Sequence, residues 1–261
     1  MMNINSYITD ELPIKKILHE LYKESGPNII FDIGACEAED SIRYSLLFPK
    51  SKIYSFEPLT SNYETGLKNI ESYCRNNIEL IQLALYSSKG SAQFHVSSGN
   101  PEDNKNTTWD YGNKSSSILK PNVDLNPHGW LKFSHDIVVE TDTLRNFCSE
   151  RNIIDIDFIH MDVQGAEIEV LLGAGHFIKR VKAVWLEAEK IPLYIDQPLV
   201  GEVEEFMYKN NFFKLLDTVG KVSGDQFYIN KDYFSVFNFQ LLKFIIIDRA
   251  KNLYHNILGL K

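Results

Sequence analysis

The sequence predicts an α/β domain in which helices cover both faces of a mostly parallel β-sheet. Short apolar runs rich in β-branched residues alternate with segments of helical spacing, and the first of them give a β-α-β-α-β order. This alternation favours parallel strands joined by right-handed crossovers. A chain of 261 residues suits one such domain with added segments. We expect an N-terminal helical segment at 1–27, the main domain at 28–230 and a C-terminal helical tail at 231–261.

The first strand and the turn after it organise the other predictions. Residues 28–33 are apolar and rich in β-branched side chains, which is typical of a strand buried on both faces. Gly34 follows at once, small residues alternate up to Ala38, and a helical pattern then runs to about Leu47. A turn of small residues lets a ligand approach the backbone, and the helix start offers unpaired N–H groups. Asp32 adds a carboxylate beside this turn.

The second and third strands are predicted at 52–56 and 78–85, where apolar residues again cluster. Between them we expect a helix to begin at Ser61, because Glu64 three residues later completes a capping-box pattern. Ahead of the first strand, the segment 12–24 carries apolar residues at helical spacing, which predicts a further helix.

The second half of the chain repeats the alternation after one long interruption. Residues 97–136 are rich in Asn, Ser, Lys, Pro and Gly, with embedded aromatic residues, and a loop of this length inside a compact domain is usually functional or disordered. Helices are expected at 142–150, 167–172 and 200–210. Strands are expected at 90–96, 137–140, 158–161 and 183–186, with a closing antiparallel pair at 212–216 and 226–229.

Composition excludes some partners and indicates a compartment. The net charge of −8 disfavours nucleic acid as a partner. The three cysteines are far apart and lack metal-binding spacing, which indicates reduced thiols in the cytoplasm. We see neither a secretory signal nor an apolar run of ~20 residues, so we expect no transmembrane segment.

Glu57 ends the second strand, 25 residues after Asp32. A carboxylate at this place commonly accepts hydrogen bonds from ribose hydroxyls, both in dinucleotide sites and in S-adenosylmethionine sites. The dinucleotide pattern needs further glycines after Gly34, and here acids stand instead. Glu37 and Glu39 are among these acids, which would repel a pyrophosphate and suit a ligand with a sulfonium and an ammonium group. The sequence therefore favours S-adenosylmethionine.

A second cluster of candidate residues lies at the ends of later strands. The carboxyl ends of parallel strands line the ligand crevice in open sheets. Asp162 follows the strand at 158–161, and His160 faces the same side two residues earlier. Glu187 ends the neighbouring strand and is expected to face the same crevice. Glu167 falls in the first turn of the next helix, where the helix dipole favours an acid, so we assign it a structural role.

Four motifs follow one another along the chain: Phe31-Asp-Ile-Gly-Ala35, Phe56-Glu57-Pro58, Leu83-Ala84-Leu85 with the Gly90 turn, and Asp162-Val-Gln-Gly-Ala-Glu167. In this order they resemble the FkbM-type family of S-adenosylmethionine-dependent methyltransferases, and the resemblance covers residues 28–229. The sequence departs from the family pattern at Cys36, where the family usually has Asn, at Ala38, where it usually has Gly, and at His160, where it often has Lys.

The resemblance implies a class I methyltransferase (Rossmann-like) sheet of seven strands with the last strand antiparallel, and S-adenosylmethionine as cofactor. Glu57 would hold the ribose hydroxyls, and Ala84 and Leu85 would lie against the adenine. Family members mostly methylate hydroxyl oxygens, often on sugars of glycans or on natural products. The cofactor-binding residues that the resemblance implies are Asp32, Gly34, Ala35, Ser41, Glu57, Pro58, Ala84 and Leu85.

The sequence thus predicts an O-methyltransferase that acts on a hydroxyl, with a sugar as the expected acceptor. A sugar hydroxyl reacts better when a general base takes its proton. Asp162 is our first candidate, with His160, Glu187 and His135 as alternates. Asp162, Glu187 and Glu189 are also able to bind Mg²⁺ as strand-tip carboxylates, but nothing in their spacing demands it, and we predict no metal. A nicotinamide-dependent oxidoreductase and a non-catalytic nucleoside-binding protein are the alternatives.

Two segments are left for the acceptor and for partners. The insertion at 97–136 is the candidate acceptor site, because Trp109 and Trp130 offer flat apolar faces and the serines 115–117 offer hydroxyls. The tail from Phe237 to Leu260 is apolar at helical spacing. We expect it to pack on the domain or to form a homodimer, and peripheral membrane contact is a further option.

Overall fold

The computed structural model describes residues 4–101, 110–125, 127 and 129–235. Short 3₁₀ helices occupy 23–25, 111–115 and 175–180. The α-helices are α1 (Ile4–Thr9), α2 (Lys15–Tyr22), α3 (Glu39–Leu47), α4 (Thr60–Ser72), α5 (Leu144–Glu150), α6 (Glu167–Ala174) and α7 (Val200–Lys209). The strands are β1 (Ile29–Ile33), β2 (Lys52–Phe56), β3 (Ile78–Ile81), β4 (Ala84–Leu85), β5 (Gly90–Ser98), β6 (Lys132–Asp142), β7 (Ile156–Met161), β8 (Val181–Glu189), β9 (Phe212–Asp217) and β10 (Ser223–Asn230).

A seven-stranded sheet forms the centre of the fold, in the order β3-β2-β1-β7-β8-β10-β9. Within this sheet, the five neighbouring strands β3, β2, β1, β7 and β8 pair in parallel. The last strand, β10, is antiparallel to both β8 and β9, between which it lies. The sheet therefore confirms the predicted α/β class and the class I methyltransferase topology with an antiparallel last strand.

Apolar side chains cover both faces of this sheet, as the first strand predicted. Phe31 and Ile33 of β1 pack into a cluster with α5, α6 and α7. Ile30, which points the other way, packs into a second cluster with α2 and α3. Because side chains alternate along a strand, Asp32 lies on the α2 and α3 face. Its carboxylate is therefore on the side of the sheet that the first helix after the turn covers.

A separate three-stranded sheet, in the order β4-β6-β5, corrects two predictions. The predicted strand at 78–85 is two strands, because the chain turns after Ile81 and Ala84 then pairs with Thr141 of β6. The predicted strand at 137–140 is longer at its N-terminal end, because β6 pairs with β5 over almost its whole length. The hydrophobic pattern missed the first half of β6 because that half is polar and mostly exposed.

The predicted start of the second helix is wrong in detail. The residue before α4 is Leu59, and no side chain caps this helix. Glu57 instead accepts a hydrogen bond from the backbone N–H of Leu59, at 2.8 Å. The segment before β1 also differs from the prediction of one helix. A separate helix, α1, precedes α2, and a 3₁₀ turn follows α2.

The tail predicted to be helical at 237–260 lies outside the described residues, so its predicted dimer or membrane contact stays a prediction. Within the described part of the chain, no helix is long and apolar enough to cross a membrane. The three cysteines Cys36, Cys74 and Cys148 are all free thiols, in agreement with the expectation of reduced thiols.

Candidate active site

Two adjoining cavities lie at the carboxyl ends of β1, β2 and β7. The first has a volume of about 540 Å³. The second has a volume of about 630 Å³. Gly34, Cys36, Lys114 and Asp162 line both cavities. The strand tips that the sequence singled out therefore meet around one composite site.

The first cavity contains the residues predicted to hold the adenosine part of a cofactor. Glu57, Pro58, Ala84 and Leu85 all line it. The Glu57 carboxylate accepts hydrogen bonds from the backbone N–H of Cys36 at 2.9 Å and from that of Leu59. Burial raises the pKa of Glu57 to about 8, although these two hydrogen bonds oppose the shift. Each carboxylate oxygen keeps a second lone pair with which to accept a ribose hydroxyl.

The second cavity contains Asp32, Gly34 and Ala35, which were predicted to border the methionine part. Ser41, predicted to help there, does not line either cavity. Its hydroxyl is fully buried and donates to the Asp32 carboxylate, and it lies 2.7 Å from the hydroxyl of Ser55. Ser41 therefore orients Asp32 from behind, and its predicted contact with the cofactor stays a prediction.

The turn between β1 and α3 has a backbone that favours small residues. Gly34 adopts a φ of 85°, and a Cβ atom there would lie 1.9 Å from the carbonyl oxygen of Asp162. The missing side chain at Gly34 thus allows the close approach of the residue that follows β7, in addition to the approach of a ligand that the small-residue turn predicted. Cys36 and Ala38 also have positive φ, of 48° and 65°. This conformation favours Asn and Gly over other residues.

His160 is paired with Asp32 across the β1–β7 register. Its Nδ1 lies 3.1 Å from a carboxylate oxygen of Asp32, and its ring packs edge-on against Tyr44. Burial lowers the pKa of His160, but the hydrogen bond to Asp32 and the nearby carboxylates outweigh it and raise the pKa to about 9. A protonated imidazole has no lone pair for a proton, so this geometry favours a positioning role over the predicted role as a base.

Gln164 connects the two carboxylates that the sequence placed at neighbouring strand tips. Its amide nitrogen donates to Asp162 at 2.6 Å and to Glu187 at 2.8 Å. Its amide oxygen lies 3.1 Å from the hydroxyl of Tyr194. Burial raises the pKa of Asp162 and that of Glu187 above their ordinary values, and the charge of Asp162 raises the pKa of Glu187 further. The predicted proximity of these two acids is thus present in the structure.

Two further acids lie behind this pair. Glu167 accepts the backbone N–H of Val163 at 3.0 Å, which is the structural role expected for it. Burial raises the pKa of Glu167 to about 7 and that of Glu189 to about 9. No group of three or more metal-ligating side chains is arranged to hold a metal ion among the residues that the structure describes.

The middle of the insertion borders both cavities. Its 3₁₀ turn, residues 111–115, brings Lys114 to the carboxylate of Glu39. Asn113 donates to Glu37 at 3.2 Å and to the side chain of Asn62 at 3.1 Å. This part of the insertion is therefore packed against the first turn and α4.

The serines predicted to face an acceptor hold the insertion in place instead. The hydroxyl of Ser117 is buried and donates to the carbonyl oxygen of Gln164 at 2.8 Å. Ser116 binds the backbone and the side chain of Ser97, both at 3.0 Å. Trp130 packs edge-on against Tyr111, with 6.4 Å between ring centroids, and Trp109 lies outside the described residues.

His135, the last alternate base, lies on an exposed part of β6 beside Ser134 and lines neither cavity. The structure therefore does not bring it to the site. The sequence did not indicate Lys114 or Tyr194 as site residues, because each comes from a segment without helical or strand periodicity. Gln164 carried a signal, since it stands inside the strand-tip motif.

Comparison with known proteins identifies the family. The family model described as the methyltransferase FkbM domain matches residues 32–214. The chain belongs to the FkbM methyltransferase family. It is therefore a methyltransferase, which decides against the oxidoreductase and the non-catalytic alternative, and its cofactor is S-adenosylmethionine, as predicted.

A curated relative of this FkbM methyltransferase is the 2-O-methyltransferase NoeI of Sinorhizobium fredii NGR234. The two are 31% identical over 189 residues, which is 72% of this chain and 74% of NoeI. Among solved structures, precorrin-6y C5,15-methyltransferase of Geobacter metallireducens is similar with a TM-score of 0.40 and 15% identity, over 85% of this chain and 88% of that one. TrmK of M. capricolum with S-adenosylhomocysteine has a TM-score of 0.46 and 12% identity, over 85% and 69%.

The two cavities fit this cofactor by their chemistry. The first combines apolar side chains, such as Leu85 and Phe94, with the Glu57 carboxylate, which suits an adenine and a ribose. The second is lined by Asp32, Asp40 and other acids, which suits the cationic end. The residues present therefore match the chemistry of S-adenosylmethionine along the length of the composite site.

Glu57→Gln is expected to weaken the binding of S-adenosylhomocysteine about 10-fold. The amide replaces one acceptor oxygen by an NH₂ group, which then faces a backbone N–H instead of accepting from it or from the ribose. Isothermal titration calorimetry measures the effect, with Glu71→Gln on the exposed side of α4 as the matched control. Unchanged affinity in Glu57→Gln would show that the ribose is held elsewhere.

Proposed function

We propose that this FkbM methyltransferase is an O-methyltransferase that acts on a hydroxyl group of a sugar, in a glycan or in a glycosylated natural product. The observation that carries the proposal is the half-buried Asp162 carboxylate, which lines both cavities and is bound by Gln164. The name of NoeI, a 2-O-methyltransferase, supports transfer to oxygen.

Asp162 has the properties of a general base for a hydroxyl. S-adenosylmethionine supplies a methyl group on a cationic sulfur, and the acceptor oxygen must lose its proton as it takes that group. The raised pKa of Asp162, caused first by burial, brings its basicity closer to neutral pH, where a base is most effective. Gln164 occupies Oδ1 of Asp162, so Oδ2 is left to accept the hydroxyl of the acceptor.

Gln164 and Tyr194 hold this base in position. The amide of Gln164 uses both of its hydrogens, one on Asp162 and one on Glu187, so neither carboxylate rotates without losing a bond. The Tyr194 hydroxyl lies 2.7 Å from the carbonyl oxygen of Ser115 and also contacts Gln164. The insertion is thereby connected to the base, and much of the rate of a methyl transfer comes from such positioning.

Aromatic rings beside the site support a sugar as the acceptor. Tyr111 lines the second cavity and packs against Trp130. Phe133 packs edge-on against Tyr194, with 6.2 Å between ring centroids. Flat apolar faces next to a base suit the apolar face of a sugar ring. We propose these rings as the acceptor site in place of the serines 115–117, whose hydroxyl or backbone groups hold the insertion.

The remaining partner predictions stay proposals of the same kind. The net charge of −8 argues against a nucleic acid acceptor, since a phosphate backbone would be repelled. A cytoplasmic location agrees with the three free thiols. A homodimer through 231–261 is testable by light scattering of the full chain beside a chain that ends at Ser235.

An acceptor screen tests the function directly. The protein is incubated with isotope-labelled methyl donor and with three acceptor pools, namely glycans, glycosylated natural products and amines. We expect a single labelled methyl on a hydroxyl of a sugar, located by fragmentation mass spectrometry and strongly reduced with Asp162→Asn. Label only on nitrogen, or only on hydroxyls outside sugars, would contradict the proposed acceptor.

A further inference from the structure

Glu39 is a buried acid with one oxygen that the protein leaves unpaired. It lies in the first turn of α3, it is 2% exposed, and it lines the second cavity. Its Oε1 accepts from Lys114, whereas its Oε2 is buried and has no hydrogen-bond partner. An unpaired buried carboxylate oxygen costs free energy, and a hydrogen-bond donor on a bound ligand would remove that cost.

The other carboxylates that line this cavity are already paired by side chains. Asp32 is held by Ser41 and His160. Asp40 accepts from Tyr7 and from Arg43, both at 2.9 Å. Asp162 accepts from Gln164. Of the four described acids around the cavity, Glu39 alone has a buried oxygen without a partner.

Lys114 adds the opposite charge at the same place. It comes from the insertion, it lines both cavities, and it lies beside the ring of Tyr7, 5.5 Å from the ring centroid. The buried carboxylate of Glu39 and the half-buried ammonium group of Lys114 share one hydrogen bond, so they present a negative and a positive group side by side. A ligand end that carries both an ammonium and a carboxylate complements such a pair.

We propose that the Glu39–Lys114 pair is the subsite for the amino-acid end of S-adenosylmethionine. Glu39 accepts a hydrogen bond from the α-ammonium group through Oε2, and Lys114 donates to the α-carboxylate. The inference rests on the cofactor of the family and not on the proposed sugar acceptor. It also gives the insertion a direct part in cofactor binding, which neither the sequence pattern nor the comparisons assign.

Ligands that differ only at the amino-acid end test this subsite. Binding of S-adenosylhomocysteine and of 5′-methylthioadenosine, which lacks the amino-acid end, is measured by calorimetry without any acceptor. Glu39→Gln and Lys114→Met are each expected to weaken S-adenosylhomocysteine about 10- to 100-fold, as expected for a lost charge-assisted hydrogen bond. The affinity for 5′-methylthioadenosine is expected to stay within about twofold.

Decarboxylated S-adenosylhomocysteine separates the two roles. It keeps the ammonium group, so Glu39→Gln is expected to weaken it, whereas Lys114→Met is expected to leave it nearly unchanged. The double variant leaves neither charge unpaired and serves with Glu64→Gln, an exposed acid on α4, as the control for folding. Equal losses for all three ligands would show a purely structural ion pair and overturn the proposal. Unchanged affinity for S-adenosylhomocysteine in both single variants would overturn it as well.

Discussion

Asp162→Asn is expected to lower kcat by at least about 100-fold while the affinity for S-adenosylhomocysteine changes less than about threefold. The amide has the shape of the carboxylate and still accepts the hydrogen bond from Gln164, so the site keeps its geometry. It has no charge and takes no proton, and general-base catalysis typically contributes 10²- to 10⁴-fold. Steady-state kinetics with the acceptor found by the screen, together with calorimetry, measure the two quantities.

The pH dependence of turnover separates a base from an orienting residue. Because the base acts only when ionised, and burial raises its pKa, kcat of the wild type is expected to fall as the pH drops through that raised value. The residual activity of Asp162→Asn is expected to lack this acidic limb. Full turnover in Asp162→Asn would remove Asp162 from the mechanism and leave Glu187, the other acid that Gln164 binds, as the next candidate.

The sequence predicted which acids lie together at the ends of neighbouring strands. Asp32, Glu57 and Asp162 each follow an apolar run, and the order of the runs specifies neighbouring parallel strands. The apolar runs locate the strands, and their order along the chain indicates which strands are neighbours, so a single sequence is enough for both. The same logic found the proximity of Asp162 and Glu187, since β7 and β8 are neighbours in the sheet.

The parts that the sequence missed depend on contacts between distant segments. Lys114 meets Glu39 across 75 positions of the chain, and Tyr194 reaches Gln164 from a loop without periodicity. A local rule also failed at Ser61, where the capping-box pattern was present but the carboxylate of Glu57 bound the backbone before α4. The backbone N–H of Leu59 thus donates to Glu57, an acid of the candidate site, and the predicted cap of Ser61 with Glu64 does not form.

The buried acids that form the site are expected to make the free protein less stable as the pH rises. Burial, first of all, raises the pKa of Glu57 to about 8, that of Glu167 to about 7 and that of Glu189 to about 9. The folded state therefore binds more protons than the unfolded state, in which glutamate has its ordinary pKa near 4.5. The stability that these protons provide is complete below pH ~4.5 and is lost as the pH rises through the folded pKa values.

His160 acts in the same direction. Its pKa is raised from 6.5 to about 9, so its contribution is complete below pH ~6.5 and is lost towards pH 9. Carboxylates with a lowered pKa, such as Asp217, do not offset this, because their contribution changes only below their ordinary pKa of 3.8. We therefore expect the free energy of unfolding to fall continuously between pH 5 and pH 9.

Thermal unfolding of the ligand-free protein measures the size of this effect. One pKa unit corresponds to about 1.4 kcal/mol, so several groups together are expected to cost several kcal/mol and to lower Tm by about 10 °C or more between pH 5 and pH 9. Glu189→Gln mimics the protonated acid and is expected to raise Tm at pH 9 and to flatten the curve. For Glu64→Gln, at an exposed position of α4, the curve of Tm against pH is expected to be parallel to that of the wild type. A Tm that is constant or rises from pH 5 to pH 9 would mean that these acids are ionised in the folded protein, and the proposed basicity of Asp162 would lose its physical cause.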